Sequence, residues 1–102
     1  MSEYRGRVNE LELERYRGLD CGAVLPKLAC YVKADPDFTP IKDEHTHRWH
    51  INVHGRDIEL PTNGPKFFDT RAKKGGGGAI DLAMHLYGGS FKEAVVRLRQ
   101  AL

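Results

Sequence analysis

The sequence predicts an α+β domain: a small three-stranded antiparallel sheet preceded by an N-terminal helical segment and followed by two helices. Three observations carry this. Between residues 48 and 69, apolar and polar residues alternate in short runs separated by turn signals, the pattern of half-buried strands. From Ala79 onward, apolar residues recur at helical spacing, interrupted only by Gly88-Gly89. At 102 residues, 40% hydrophobic and 29% charged, the chain has material for one modest core.

The elements follow in order. Residues 1–7 are polar and expected to fray. Val8 to Tyr16 alternates glutamates with Leu11 and Leu13, a strand-like spacing, but glutamate and leucine favour a short helix. Residues 1–18 are therefore read as an arm and residues 19–102 as the domain. Cys21, Val24, Leu25 and Leu28 form a helical stripe with Asp20 as N-cap, and Pro26 implies a late start or a kink. Residues 34–46, with two prolines, read as a loop. Trp49, Ile51 and Val53 share one face of the first strand, with Arg48, His50 and Asn52 on the other. His54-Gly55 reverses the chain into Arg56 to Leu60. Pro61 to Pro65 is a second turn, and Lys66 to Asp69 is the third strand. Ala79 to Tyr87 is apolar nearly all round, which predicts a buried helix. Ser90-Phe91-Lys92-Glu93 is a capping box opening the last helix, whose apolar face is Phe91, Ala94, Val95, Leu98 and Leu102.

Composition bounds the function. The net charge of +2 does not mark a strong polyanion binder, so a nucleic-acid role must rest on a local patch. No apolar run has the length of a membrane span, and the charged N-terminal residues hold no signal core; a cytoplasmic protein is expected. Two cysteines, Cys21 and Cys30, do not make a disulfide framework.

The most distinctive segment is Ala72-Lys73-Lys74-Gly75-Gly76-Gly77-Gly78-Ala79-Ile80-Asp81-Leu82. A nucleotide-binding P-loop would place its lysine after the glycines, and here both lysines precede them. A structural reading is sufficient: glycines let a strand turn sharply into a buried helix and pass close to its neighbours. A functional reading adds to it. The first N–H groups of a helix starting near Gly78 lack internal partners, and Lys66, Arg71, Lys73 and Lys74 lie just upstream, so a phosphate backbone can rest there. Asp81, in the first helical turn, competes for the same donors.

Other residues are less informative. His45, His47, His50 and His54 crowd ten positions, but no third ligand stands at metal-binding spacing; a small metal protein built on these and the cysteines is a remote option. Asp81 and His85, at i and i+4, form an acid–base pair or a simple helix ion pair. Trp49 offers a face for base stacking, yet its alternation assigns it to the core.

The run KFFDTRAKKGGGGAIDLAMHLYGGSFKEAVVRL resembles the C-terminal half of the zinc-ribbon domain at the front of bacterial DNA primases. It is more similar still to a zinc-less variant in proteins of plasmids and integrative elements, often ahead of a Toprim domain. Trp49, Ile51, Gly64, Lys66 to Asp69, Gly75 to Leu82, Met84 to Leu86, Phe91 and Ala94 carry the resemblance, which covers roughly residues 19–101. Where the metal-binding family has cysteines before its glycines, this sequence reads Asp69-Thr70-Arg71-Ala72. The resemblance therefore implies a zinc-ribbon-like fold without its metal, organised instead by Trp49, Phe67, Phe68, Ile80, Met84 and Phe91; burying each aromatic supplies about 1.5–3 kcal/mol. It further implies a non-catalytic accessory module without cofactor, engaging single-stranded DNA for a Toprim-type primase or topoisomerase of a mobile element. The binding residues expected are Lys66, Arg71, Lys73 and Lys74 with the backbone of Gly75, Gly76, Gly77 and Gly78. The rival expectation is a protein–protein adaptor, or self-association through the Leu11–Tyr16 arm, with no nucleic-acid role. Oligomeric state is left open.

Overall fold

A computed structural model describes residues 9–40 and 43–102. Residues 1–8, including the Val8 expected to begin the first helix, and Ile41 and Lys42 of the expected loop lie outside the described residues. The described elements are α1 (Glu10–Gly18), α2 (Cys21–Leu28), β1 (Tyr31–Ala34), β2 (His47–Val53), β3 (Arg56–Asn63), β4 (Lys66–Asp69), β5 (Lys74–Gly77), α3 (Ala79–Tyr87) and α4 (Phe91–Ala101). The strands form one sheet in chain order, and every neighbouring pair is antiparallel.

The sheet thus has five strands where the sequence predicts three. The class, α+β, is unchanged; the strand count is corrected at both edges. β1 is four residues long and turns only Val32 and Ala34 toward the side of Ile51 and Trp49, too short a run to show alternation. β5 is Lys-Gly-Gly-Gly, a composition with no intrinsic strand preference that pairs because β4 offers it a register.

The centre follows the side-chain pattern. Trp49 pairs with Leu60 and Ile51 with Ile58, and the two strands are joined at His54-Gly55, both with positive φ (51° and 78°). That is the geometry of a two-residue turn matched to strand twist. The second reversal is narrower than expected. Pro61 belongs to β3, opposite Arg48, and the chain turns at Gly64-Pro65. At Pro61 β3 is flanked by β2 alone, since its ladder to β4 runs over Thr62 and Asn63, and a missing N–H is tolerated there.

All four helices gather on one face of the sheet. Ile51, Val53, Leu60 and Phe67 from the strands meet Val24, Leu25, Leu82, Leu86, Val95 and Leu98 from the helices in one buried cluster. α2 is capped by the Asp20 carboxylate, which accepts the Ala23 N–H at 3.0 Å, and it carries Pro26 within its length. The Ser90–Glu93 capping box is formed in both directions. α1 is capped by Asn9 and buries Tyr16 against the core, and its Glu12 carboxylate takes two hydrogen bonds from the Arg99 guanidinium of α4 at 2.7 Å each. The segment read as an arm is thereby packed from Glu10 onward. The opposite face of the sheet is covered by none of the described helices and presents Tyr31, Arg48, His50, Pro61, Lys66 and Phe68 by strand alternation.

Candidate nucleic-acid interface

The lysine–glycine segment forms the second strand of a tight β4–β5 hairpin. Lys66 pairs with Gly77, Phe67 with Gly76, Phe68 with Gly75 and Asp69 with Lys74. Gly75 and Gly76 are required by proximity, whereas a Cβ on Gly77 would meet open space. A Cβ on Gly75 would lie 2.9 Å from the Phe67 carbonyl oxygen and 3.0 Å from Phe68 Cδ1, and one on Gly76 would lie 2.9 Å from Phe67 Cζ. The two phenylalanine rings occupy opposite sides of the glycine strand, so side chains there would displace them. Gly78 serves a different purpose: with φ of 89° it turns the chain into α3, its backbone packed against Arg17.

The expected anion site at the start of α3 is partly filled by the protein itself. Gly77 N–H donates to Asp81 Oδ2 at 3.2 Å, and Gly78 N–H donates to the Pro65 carbonyl at 2.8 Å. Gly78 is buried, whereas Gly75 and Gly77 are exposed. What faces solvent is therefore the strand of glycines rather than the helix end behind it.

The four expected cations separate into two places. Lys66, Lys73 and Lys74 are exposed along the hairpin, and none forms an ion pair with a described residue. Lys73 closes the turn with a φ of 57°. Arg71 instead lines a separate polar cleft with Arg56, Asp57, Glu59 and Asp69. Sequence spacing alone did not reveal Arg17. It shares with Lys66, Gly77, Gly78 and Asp81 a cleft of about 410 Å³ at the mouth of α3. Its signal is long-range: the last turn of α1 has to pack on Gly78 before Arg17 can join the lysines.

The turn is held by polar groups. Of the expected apolar organisers, Phe67 and Ile80 are buried and Trp49 and Met84 pack against the core, but Phe68 and Phe91 are 45% and 44% exposed. Where the resemblance would place cysteines, the Asp69 carboxylate does the organising. Its Oδ1 accepts the N–H groups of Arg71 and Ala72 at 3.1 and 3.0 Å, and its Oδ2 meets His85 Nε2 at 2.7 Å. Burial works against the charge of Asp69, yet the Ala72 N–H, His85 and the Arg71 N–H outweigh it and hold the carboxyl below its usual range. His85 therefore pairs with Asp69 across the hairpin, and the expected Asp81–His85 pair is not formed.

The remaining candidates resolve into local contacts. His45 meets Asp43, His50 meets Asp35, His47 lies beside Trp49 and His54 stands edge-on to Tyr87. Cys21 is buried, its thiol donating to the Pro65 carbonyl at 3.1 Å and pushed up to about 12 by burial and by Asp20; Cys30 is exposed. Among the described residues no three His, Cys, Asp or Glu side chains are grouped to hold a metal ion, and no helix is long and apolar enough to cross a membrane. Trp49 rests on Gly22 of α2 and donates its indole N–H to Thr62 Oγ1 at 2.9 Å, on the helix-covered face. No family model, curated protein or solved structure matches the chain.

Proposed function

We propose that this chain is a non-catalytic DNA-binding module that holds single-stranded template beside a Toprim-type primase or topoisomerase of a mobile element. The observation that carries the reading is the exposed glycine strand bordered by Lys66, Lys73 and Lys74. A strand without side chains lets a sugar–phosphate backbone approach the main chain, and ammonium groups on either side, unpaired among the described residues, attract it. Arg17 extends the basic rim past the hairpin. The partner and the cellular setting come from the resemblance of residues 49–94 to the primase-type module.

Fluorescence anisotropy with a labelled 15-nucleotide oligo(dT) tests this. Three phosphate contacts give a slope near −2 in log K against log salt, at about 0.7 per contact for a single strand. The double substitution Lys73→Glu/Lys74→Glu is expected to weaken binding at least tenfold at low salt. Salt-independent binding, or an affinity unmoved by that change, overturns the assignment. The exposed Leu11 on α1 favours the rival adaptor reading; that reading predicts no oligonucleotide binding and an oligomeric state changed by Leu11→Ser.

A further inference from the structure

The open face of the sheet carries one feature that phosphate binding does not use. Phe68 is 45% exposed although it stands mid-strand in β4. Its ring is supported from one side: the Cδ1 atom lies 3.0 Å from where a Cβ on Gly75 would stand, so the ring rests beside the glycine strand. On its other side Phe68 lines an open cleft of about 170 Å³ with Pro61, Asn63 and Lys66. The cleft has room for one nucleobase. Lys66, two residues before Phe68 on the same face, stands roughly 6.6 Å along the strand at about 3.3 Å per residue. Both side chains line the cleft, so an aromatic ring and an ammonium group border the same opening, the pair of groups that a base and its phosphate call for.

The neighbouring groups narrow what the cleft can take. Asn63 Nδ2 donates to Asp43 Oδ2 at 2.8 Å and to Thr46 Oγ1 at 3.2 Å. Asp43 is held down at about 2, chiefly by the His45 N–H and then by Asn63, so it is a carboxylate and accepts only. The amide orientation of Asn63 is thereby fixed, and what it can offer a ligand is the Oδ1 acceptor. Arg48, the next cation across the face, is occupied by Asp35 at 2.6 Å and stacks over Phe38. Lys66 is thus the cation that serves this cleft.

We infer that Phe68 is a base-stacking platform and that the Phe68–Pro61–Asn63–Lys66 cleft receives one unpaired nucleobase. The inference rests on the DNA-binding reading and gives its single-strand preference a physical origin. Bases inside a duplex have their faces covered by neighbours, so a stacking platform reads only a splayed single strand.

The test compares three probes of equal length: oligo(dT), an abasic strand of the same charge, and a duplex. The wild-type chain is expected to bind oligo(dT) about tenfold more tightly than the abasic strand. Phe68→Ala is expected to remove that difference while leaving abasic binding and its salt slope unchanged, and Phe68→Tyr to restore it. Circular dichroism controls for folding, which the substitution of this half-exposed ring preserves. Equal binding of oligo(dT) and the abasic strand by wild type, or an unchanged preference in Phe68→Ala, overturns the inference while salt-dependent binding leaves the DNA reading intact. Absence of binding to every probe overturns both.

Discussion

The β2–β3 and β4–β5 hairpins lie side by side in one sheet and are stabilised by opposite means. In β2–β3 the strands are specified by what they carry: Ile51, Val53 and Leu60 are buried, and the turn residues His54 and Gly55 have the dihedrals the twist demands. In β4–β5 one strand is specified by what it lacks. Gly75 and Gly76 leave the space that Phe67 and Phe68 occupy, and its turn closes because Asp69 gathers two N–H groups and an imidazole. Side-chain burial specifies the first pair, whereas close backbone approach specifies the second and leaves Gly75 and Gly77 exposed.

The largest effect expected from breaking this contrast is at Leu60. Leu60→Ala removes a fully buried side chain at the centre of β3 and should cost about 3–4 kcal/mol, read as a lowered urea midpoint of the whole domain. Asp69→Ala should cost about 2–3 kcal/mol, since it strands two turn N–H groups and His85, with faster amide exchange at Arg71 and Ala72. The same contact sets an acid limit. Because the folded-state value of Asp69 is depressed, its stabilisation is full above the unfolded value of about 4 and is lost as pH falls through the folded value. Wild type should lose protection at the β4–β5 turn in that acid range, and Asp69→Asn should not show that transition. Smallest, Gly76→Ala should cost about 1–2 kcal/mol by overpacking against Phe67 Cζ and the Asp81 Cβ 3.2 Å away, with thermal denaturation as the readout. An Ala variant as stable as wild type would show that the glycine strand is not sterically required.

The same contrast explains what could be read from the chain. The central hairpin, α2, α3 and the α4 cap are local in their information: alternation, a helical stripe and a Ser–Glu box lie within a few residues of the elements they define. β5 is not local. Nothing in Lys-Gly-Gly-Gly states a strand, and the constraint comes from Phe67, Phe68 and Asp81. Expecting all four glycines to form a turn missed that three of them pair. The binding candidates divide likewise: Lys66, Lys73 and Lys74 are neighbours in sequence and on the hairpin, whereas Arg71 lines a separate cleft with Asp57 and Glu59. Arg17 and the Asp69–His85 contact depend on helices α1 and α3 arriving from elsewhere. Phe68 was legible as a hydrophobic residue, but whether it faced in or out depended on the register of β4.

The chain has a single tryptophan, and it is Trp49, wedged between β2 and Gly22 with its indole hydrogen-bonded to Thr62. Intrinsic fluorescence therefore watches the hydrocarbon-packed half of the sheet without a dye or an engineered label. The imidazole proton resonances of His85 watch the glycine-bearing half. Two native spectroscopic handles, one on each half, make it possible to see whether the sheet comes apart in one step or loosens first along its glycine margin.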